Sequence, residues 1–143
     1  MTKDPLCCLA SETVNRAAQY MKESDAGSVP IVDSPQTKRL LGIVTDRDLA
    51  LKVVAESRDP RSVRIEEVMT RNPVTCQEND DLQAAIEAMA RNQVRRIPVV
   101  DNSGHLVGII SQADIATRGD SARQTAEVVE EISKPEKMST GMH

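Results

Sequence analysis

The chain carries the same sentence twice. Residues 1–33 align with 69–101 without a gap. Met1, Thr2, Pro5, Cys8, Ala17, Met21, Pro30, Val32 and Asp33 meet identical residues at Met69, Thr70, Pro73, Cys76, Ala85, Met89, Pro98, Val100 and Asp101. After a small length difference in one loop, LLGIVTDRDLA (Leu40–Ala50) faces LVGIISQADIA (Leu106–Ala116). A repeat on this scale means that one supersecondary unit is built twice. A copy of about sixty residues buries too little surface to be secure alone. The expectation is therefore one α/β (α+β) globule, with two strand-helix-strand-strand-helix repeats packed about a pseudo-twofold axis.

Each copy reads in the same order. A short extended segment, Pro5–Leu9 or Pro73–Gln77, leads into a helix started by Ser11, or by Asn79 or Asp80, residue types that cap N-termini. The helix faces are Val14, Ala17, Ala18 and Met21, and Leu82, Ala85, Ile86 and Met89, at the spacing of a half-buried helix. Two hairpins follow, Val29–Asp33 with Leu40–Thr45 and Ile97–Asp101 with Leu106–Ser111. Asn102-Ser103-Gly104 turns the second, and a longer loop from Ser34 to Lys38, with Pro35, turns the first. A further helix starts at Thr45 or Ser111. The divisions expected are 1–58 for the first repeat, 59–117 for the second with its lead-in, 118–134 for a C-terminal helix and 135–143 for a frayed tail. Glu56–Ser62 reads as a surface connection. The final helix would be capped by Asp120, would place Ala122, Ala126, Val129 and Ile132 on one face, and would end before Pro135. The helical lead-in Ile65–Val68 has no counterpart before Met1; the expectation is either that this chain starts late or that the C-terminal helix covers that surface in its place.

Composition removes several classes of function. The 143 residues include no Trp, no Phe and one Tyr, Tyr20, so the core must be aliphatic. Single-strand nucleic-acid binders use aromatic platforms that this chain lacks. A net charge of −4 argues against a duplex binder as well. Apolar runs are too short to span a membrane, and no apolar signal segment opens the chain, so a cytoplasmic location is expected. Cys7, Cys8 and Cys76 form no C-x-x-C pair, and the histidines are His105 and the terminal His143. Together they suggest no zinc site. A catalytic constellation of Ser/His/Asp or Cys/His type, or a Gly-rich P-loop, is not found, so an enzyme is not expected.

The segment Gly42-Ile43-Val44-Thr45-Asp46-Arg47-Asp48 runs from a strand into a helix start. Such a start presents free N–H groups, a natural seat for phosphate. Thr45-x-x-Asp48 and Ser111-x-x-Asp114 are equally capping boxes, which any helix can carry without a ligand. The two roles are compatible, because a capping carboxylate can keep one oxygen for another partner.

The paired strings V-P-I-V-D…G-I-V-T-D-R-D and I-P-V-V-D…G-I-I-S-Q-A-D, with Val68-Met69-Thr70 and Asn72-Pro73 before the second, resemble the cystathionine-β-synthase (CBS) domain. Two in tandem resemble a Bateman module over roughly residues 1–117. The resemblance implies a regulatory module that binds an adenine nucleotide or adenosyl ligand (AMP, ADP, ATP, NAD or S-adenosylmethionine) in clefts between the repeats. It also implies a homodimer that signals to a separate effector protein. No cofactor is required; the nucleotide is a regulatory ligand. On the family pattern, Thr45 and Ser111 meet ribose or phosphate oxygens, and Asp48 and Asp114 accept the ribose hydroxyls. Arg47 adds a charge toward phosphate, where the second copy has Ala113. Arg95 and Arg96 match a basic position that reaches phosphates, or else form a solvated face with Arg91. By position, Cys7, Ala26, Val29 and Ile43 surround one base, and Thr75, Val94, Ile97 and Ile109 the other. The contrasting expectation is a ligand-free module that only dimerises and docks, because fold alone does not choose between the two.

Overall fold

The computed structural model describes residues 2–3 and 5–112. Asp114, Ala113, the remainder of the helix expected after Ser111, the C-terminal helix and the tail lie outside the described residues.

The described chain forms two compact units. One holds residues 5–73 and 103–106, and the other 2–3, 74–102 and 107–112. In chain order the elements are β1 (Thr2–Lys3), β2 (Cys8–Leu9), α1 (Val14–Ser24), β3 (Ser28–Val32), β4 (Leu40–Thr45) and α2 (Asp46–Leu49). Then follow β5 (Thr70–Arg71), β6 (Cys76–Gln77), α3 (Leu82–Asn92), β7 (Arg96–Val100) and β8 (Leu106–Ser111). The architecture is mixed α+β, with one four-stranded sheet ordered β2-β3-β4-β5 and a second ordered β1-β8-β7-β6. The sheets repeat each other in register. Cys8 pairs with Ile31 as Cys76 pairs with Val99, in parallel. Ile43 pairs with Thr70 as Ile109 pairs with Thr2, antiparallel.

That last pairing goes beyond the sequence reading. The Met-Thr phrase before each repeat adds its strand to the sheet of the other: Thr70-Arg71 edges the first, Thr2-Lys3 the second. The connection behaves likewise. Glu56–Ser62 is exposed, as expected. Beyond it, Val63, Ile65, Val68 and Met69 join the core of the unit that holds α1. Ile65–Glu67 forms a single 3-10 turn within that stretch.

The helix starts were expected one or two residues early. The N-cap residues are Thr13 and Asp81, not Ser11 and Asn79 or Asp80. Glu12 and Asp80 instead reach back to accept from the N–H of Leu9 (2.7 Å) and of Gln77 (2.9 Å), closing the turns that leave β2 and β6. Asp81 accepts from Ala84 N–H at 2.9 Å. Thr13 makes no such bond, because the connecting segment satisfies α1: Val14 N–H donates to the Val63 carbonyl (2.9 Å) and Asn15 N–H to that of Pro60 (3.1 Å). One repeat meets the unsatisfied donors of a helix start with a side chain, the other with backbone. Both helices end on a left-handed residue, Asp25 at φ 51° and Gln93 at φ 53°. Ala26 and Val94 then donate back to Met21 and Met89.

The expected helix faces are buried except at Leu82, which is half-buried against its cluster, and at Ala18. Val14, Ala17 and Met21 pack inward on α1, and Ala85, Ile86 and Met89 on α3. Ala18 is exposed although its aligned partner Ile86 is buried. Cys8 and Cys76 occupy matching buried positions. The hairpin strands begin one residue before the expected Val29 and Ile97, and stop at Val32 and Val100 rather than Asp33 and Asp101. Asp33 turns instead, accepting from the hydroxyl of Thr37 (2.6 Å) and the N–H of Arg39 (2.9 Å).

Candidate functional site

Strand β4 hands over to α2 at Thr45, whose backbone is still extended at φ −118°, ψ 164°. Its hydroxyl accepts from Asp48 N–H at 3.0 Å, and Asp48 Oδ2 accepts from Thr45 N–H at 3.0 Å. The reciprocal pair is the capping box expected from the spacing. A carboxylate with 8% exposure must have partners for both oxygens. Oδ2 also faces the Thr70 hydroxyl at 3.5 Å. Oδ1 faces Lys52 Nζ at 3.1 Å. The lysine, one turn on in the same helix, donates in addition to the Val68 carbonyl at 2.9 Å.

The lysine sits in an unusual stretch of backbone. From Ala50 to Val54 the helix is π-helical, and Ala55 N–H returns to the carbonyl of Ala50 at 2.9 Å. Such wide turns are rare and recur at functional positions.

The loop before β3 is fastened to this helix start. Ser28 lies opposite Thr45 across the hairpin, and Asp46 N–H donates to the Gly27 carbonyl at 2.9 Å. A Cβ on Gly27 would stand 3.0 Å from Asp46 Oδ2, the tip of an exposed side chain that can move aside. The second repeat makes the same link, Gln112 N–H to the Arg95 carbonyl at 2.8 Å. The fold thus brings Arg95 beside Ser111 and Gln112, as it brings Gly27 beside Thr45 and Asp46. The surroundings of the two starts differ in charge: Asp46 and Asp48 fill the first turn of one, while Arg95, just before β7, adjoins the other where the first repeat has Gly27.

Of the other residues singled out in the sequence, Arg47 and Arg95 are exposed and Arg96 is half-buried. Cys7, Ala26, Ile43, Val94 and Ser111 are also half-buried, at the edge between core and surface. Val29, Ile97 and Ile109 are buried within their units, and Thr75 is exposed. Burial pushes the Cys7 thiol above its ordinary value, with Lys38 opposing and Glu12 adding to the shift. Lys52 and Thr70 were not singled out, although both left a signal. Lys52 stands at the i+4 spacing from Asp48 that pairs charges on a helix, and Thr70 belongs to the repeated Met-Thr phrase.

Among the described residues, no group of three or more His, Cys, Asp or Glu side chains could hold a metal ion. Among the same residues, no helix is long and apolar enough to cross a membrane.

Comparison with known proteins agrees with this geometry. The family model described as "CBS domain" matches twice, at residues 1–55 and 65–120. The Bacillus subtilis protein YlbB, itself uncharacterized, is 34% identical over 141 residues, covering 99% of this chain and 93% of its own. A solved structure of hypoxic response protein I with two coordinated zinc ions superposes with a TM-score of 0.73 at 37% identity, covering 82% of this chain and 92% of that one. The structure of CBSX2 in complex with AMP gives a TM-score of 0.71 at 23% identity, covering 86% and 94%, a likeness of fold. With both repeats matched, the chain belongs to the CBS domain family and carries two copies of that domain.

Proposed function

We propose that this chain is a regulatory module that binds an adenine nucleotide or adenosyl ligand and passes its occupancy to a separate effector protein. The observation that carries the reading is the Thr45–Asp48 box, a buried carboxylate and a hydroxyl held together at a strand-to-helix junction. Such a pair suits a ribose diol, which donates to the carboxylate, with the exposed Arg47 placed to meet a phosphate. The AMP bound by CBSX2 supports the choice of ligand class. Thr45, Arg47 and Asp48 are proposed for one ligand, Ser111, Asp114, Arg95 and Arg96 for the other. Ala26, Ile43, Val94 and Cys7 have the half-buried placement that an aliphatic base seat needs. A homodimer acting in the cytoplasm, without chemistry of its own, completes the proposal.

A second reading has its own support. Both oxygens of Asp48 already have protein partners, and Leu51 and Val54 are exposed apolar residues on the same helix. A ligand-free docking module would look like this.

Thermal melting with AMP, ADP, ATP, NAD and S-adenosylmethionine separates the two, followed by circular dichroism because the chain has no Trp. A ligand at a hundred times its Kd stabilises the fold by about 2.7 kcal/mol. An unmoved midpoint with all five removes the sensor reading for these ligands.

A further inference from the structure

We infer that Lys52 is the resident occupant of the ligand-binding carboxylate in the first repeat, and that a ligand must displace it, releasing the Val68 carbonyl as it does so. The inference rests on the nucleotide-binding reading and adds to it a competitor and a route outward. Asp48 offers two oxygens. Oδ2 is committed to the backbone of its own helix start, through Thr45 N–H at 3.0 Å. Oδ1 is the oxygen left for a ribose hydroxyl, and Lys52 Nζ stands on it at 3.1 Å. An incoming diol therefore meets an ammonium group already in place.

The lysine can leave. Its side chain is 47% exposed, whereas that of Asp48 is 11% exposed, so the ammonium regains water on moving and the carboxylate does not. A half-exposed ion pair is a weak contact. What it holds on its other side is specific. Nζ donates at 2.9 Å to the carbonyl of Val68, the residue that ends the 3-10 turn Ile65–Glu67. That turn runs directly into β5, whose Thr70 hydroxyl faces the same carboxylate at 3.5 Å. One ammonium therefore ties the helix start to the segment introducing the second repeat. The π-helical turn from Ala50 to Val54 carries Lys52 at its centre, where a turn of this type marks a local departure from regular packing. The aligned position in the second repeat, Arg118, lies outside the described residues.

The test is calorimetric titration of the full chain, wild type against Lys52→Met, Lys52→Arg and Asp48→Ala, with the same five compounds. Methionine keeps the aliphatic stem and removes the competing charge. The expected result is that Lys52→Met binds at least about threefold more tightly, the scale of one surrendered half-exposed ion pair, that Lys52→Arg does not, and that Asp48→Ala binds more weakly. Amide hydrogen exchange of the segment 64–71 should speed up on adding ligand to the wild type. In Lys52→Met it should already be fast and should not respond. Should the wild type and Asp48→Ala differ as expected while Lys52→Met binds no more tightly, displacement is wrong and the nucleotide reading stands. Failure of all five compounds to bind wild type and Lys52→Met alike overturns both.

Discussion

The carbonyl oxygen of Thr70 stands 2.5 Å from the point where a Cβ on Gly42 would lie. Gly42 is the first residue of the G-I-V-T string, and the reason for a glycine there is the edge strand β5, not a ligand. Gly42 pairs with Arg71, and Gly108, at the aligned position, pairs with Lys3. Both repeats thus keep a glycine where the exchanged strand crosses. Gly42→Ala should force β5 away and cost about 1–3 kcal/mol, as overpacking does. Urea denaturation checks this, and a loss under half of that range would mean that β5 yields freely.

The two helix starts give a paired prediction. Asp81→Ala removes the side-chain cap of α3, the 2.9 Å bond from Ala84 N–H, and should cost about 1 kcal/mol. Thr13→Ala should cost a few tenths at most, about the scale of a surface change, because carbonyls of Val63 and Pro60 already serve α1. Equal losses in denaturant titrations would show that the connecting segment does not cap α1 in solution.

The repeat, the order of elements and the capping box were legible because each is local or periodic. β4 and β8 begin and end where alternation and turn residues place them. The exchange of the Met-Thr strands was not legible, since two-residue strands carry no period and a repeat aligns with itself whichever sheet it joins. Burial of Ile65 and Val68 against α1 was missed for a related reason: a lead-in resembles part of the repeat it precedes, while its side chains pack on the one before. At the site, the spacing disclosed the Thr45–Asp48 pair and not the state of its second oxygen. Lys52 is an ordinary i+4 lysine in sequence, and only the position of the Val68 carbonyl gives it a second partner.

The repeats should not bind alike. The first has Thr45, Arg47 and Asp48, where the second has Ser111, Ala113 and Asp114. Asp48→Ala should therefore weaken binding of a phosphorylated adenosine more than Asp114→Ala does. Calorimetry with each variant reads the ranking, and equal losses count against it. Asp48→Ala also removes a capping box and should cost about 1 kcal/mol of stability without ligand, so affinities must be measured well below the melting point.

Cys8 gives a prediction at alkaline pH. Burial pushes its thiol from an ordinary 9.0 up to about 12, with Glu12 and Cys7 adding to the shift. The folded pKa lies above the unfolded one, so the unfolded chain loses its proton first as pH rises. The stabilisation from a neutral, buried thiol is complete below pH 9 and falls between 9 and 12, at up to about 1.4 kcal/mol per pH unit. Cys7 and Cys76 are shifted in the same direction, chiefly by burial, and steepen the loss. Unfolding free energies at about pH 8 and about pH 10.5 should therefore differ more in wild type than in Cys8→Ala, because lysine and tyrosine titrations are common to both and cancel. Parallel slopes would mean that the thiol ionises in the folded chain as readily as in the unfolded one, and that the strand pairing around Cys8 opens to water.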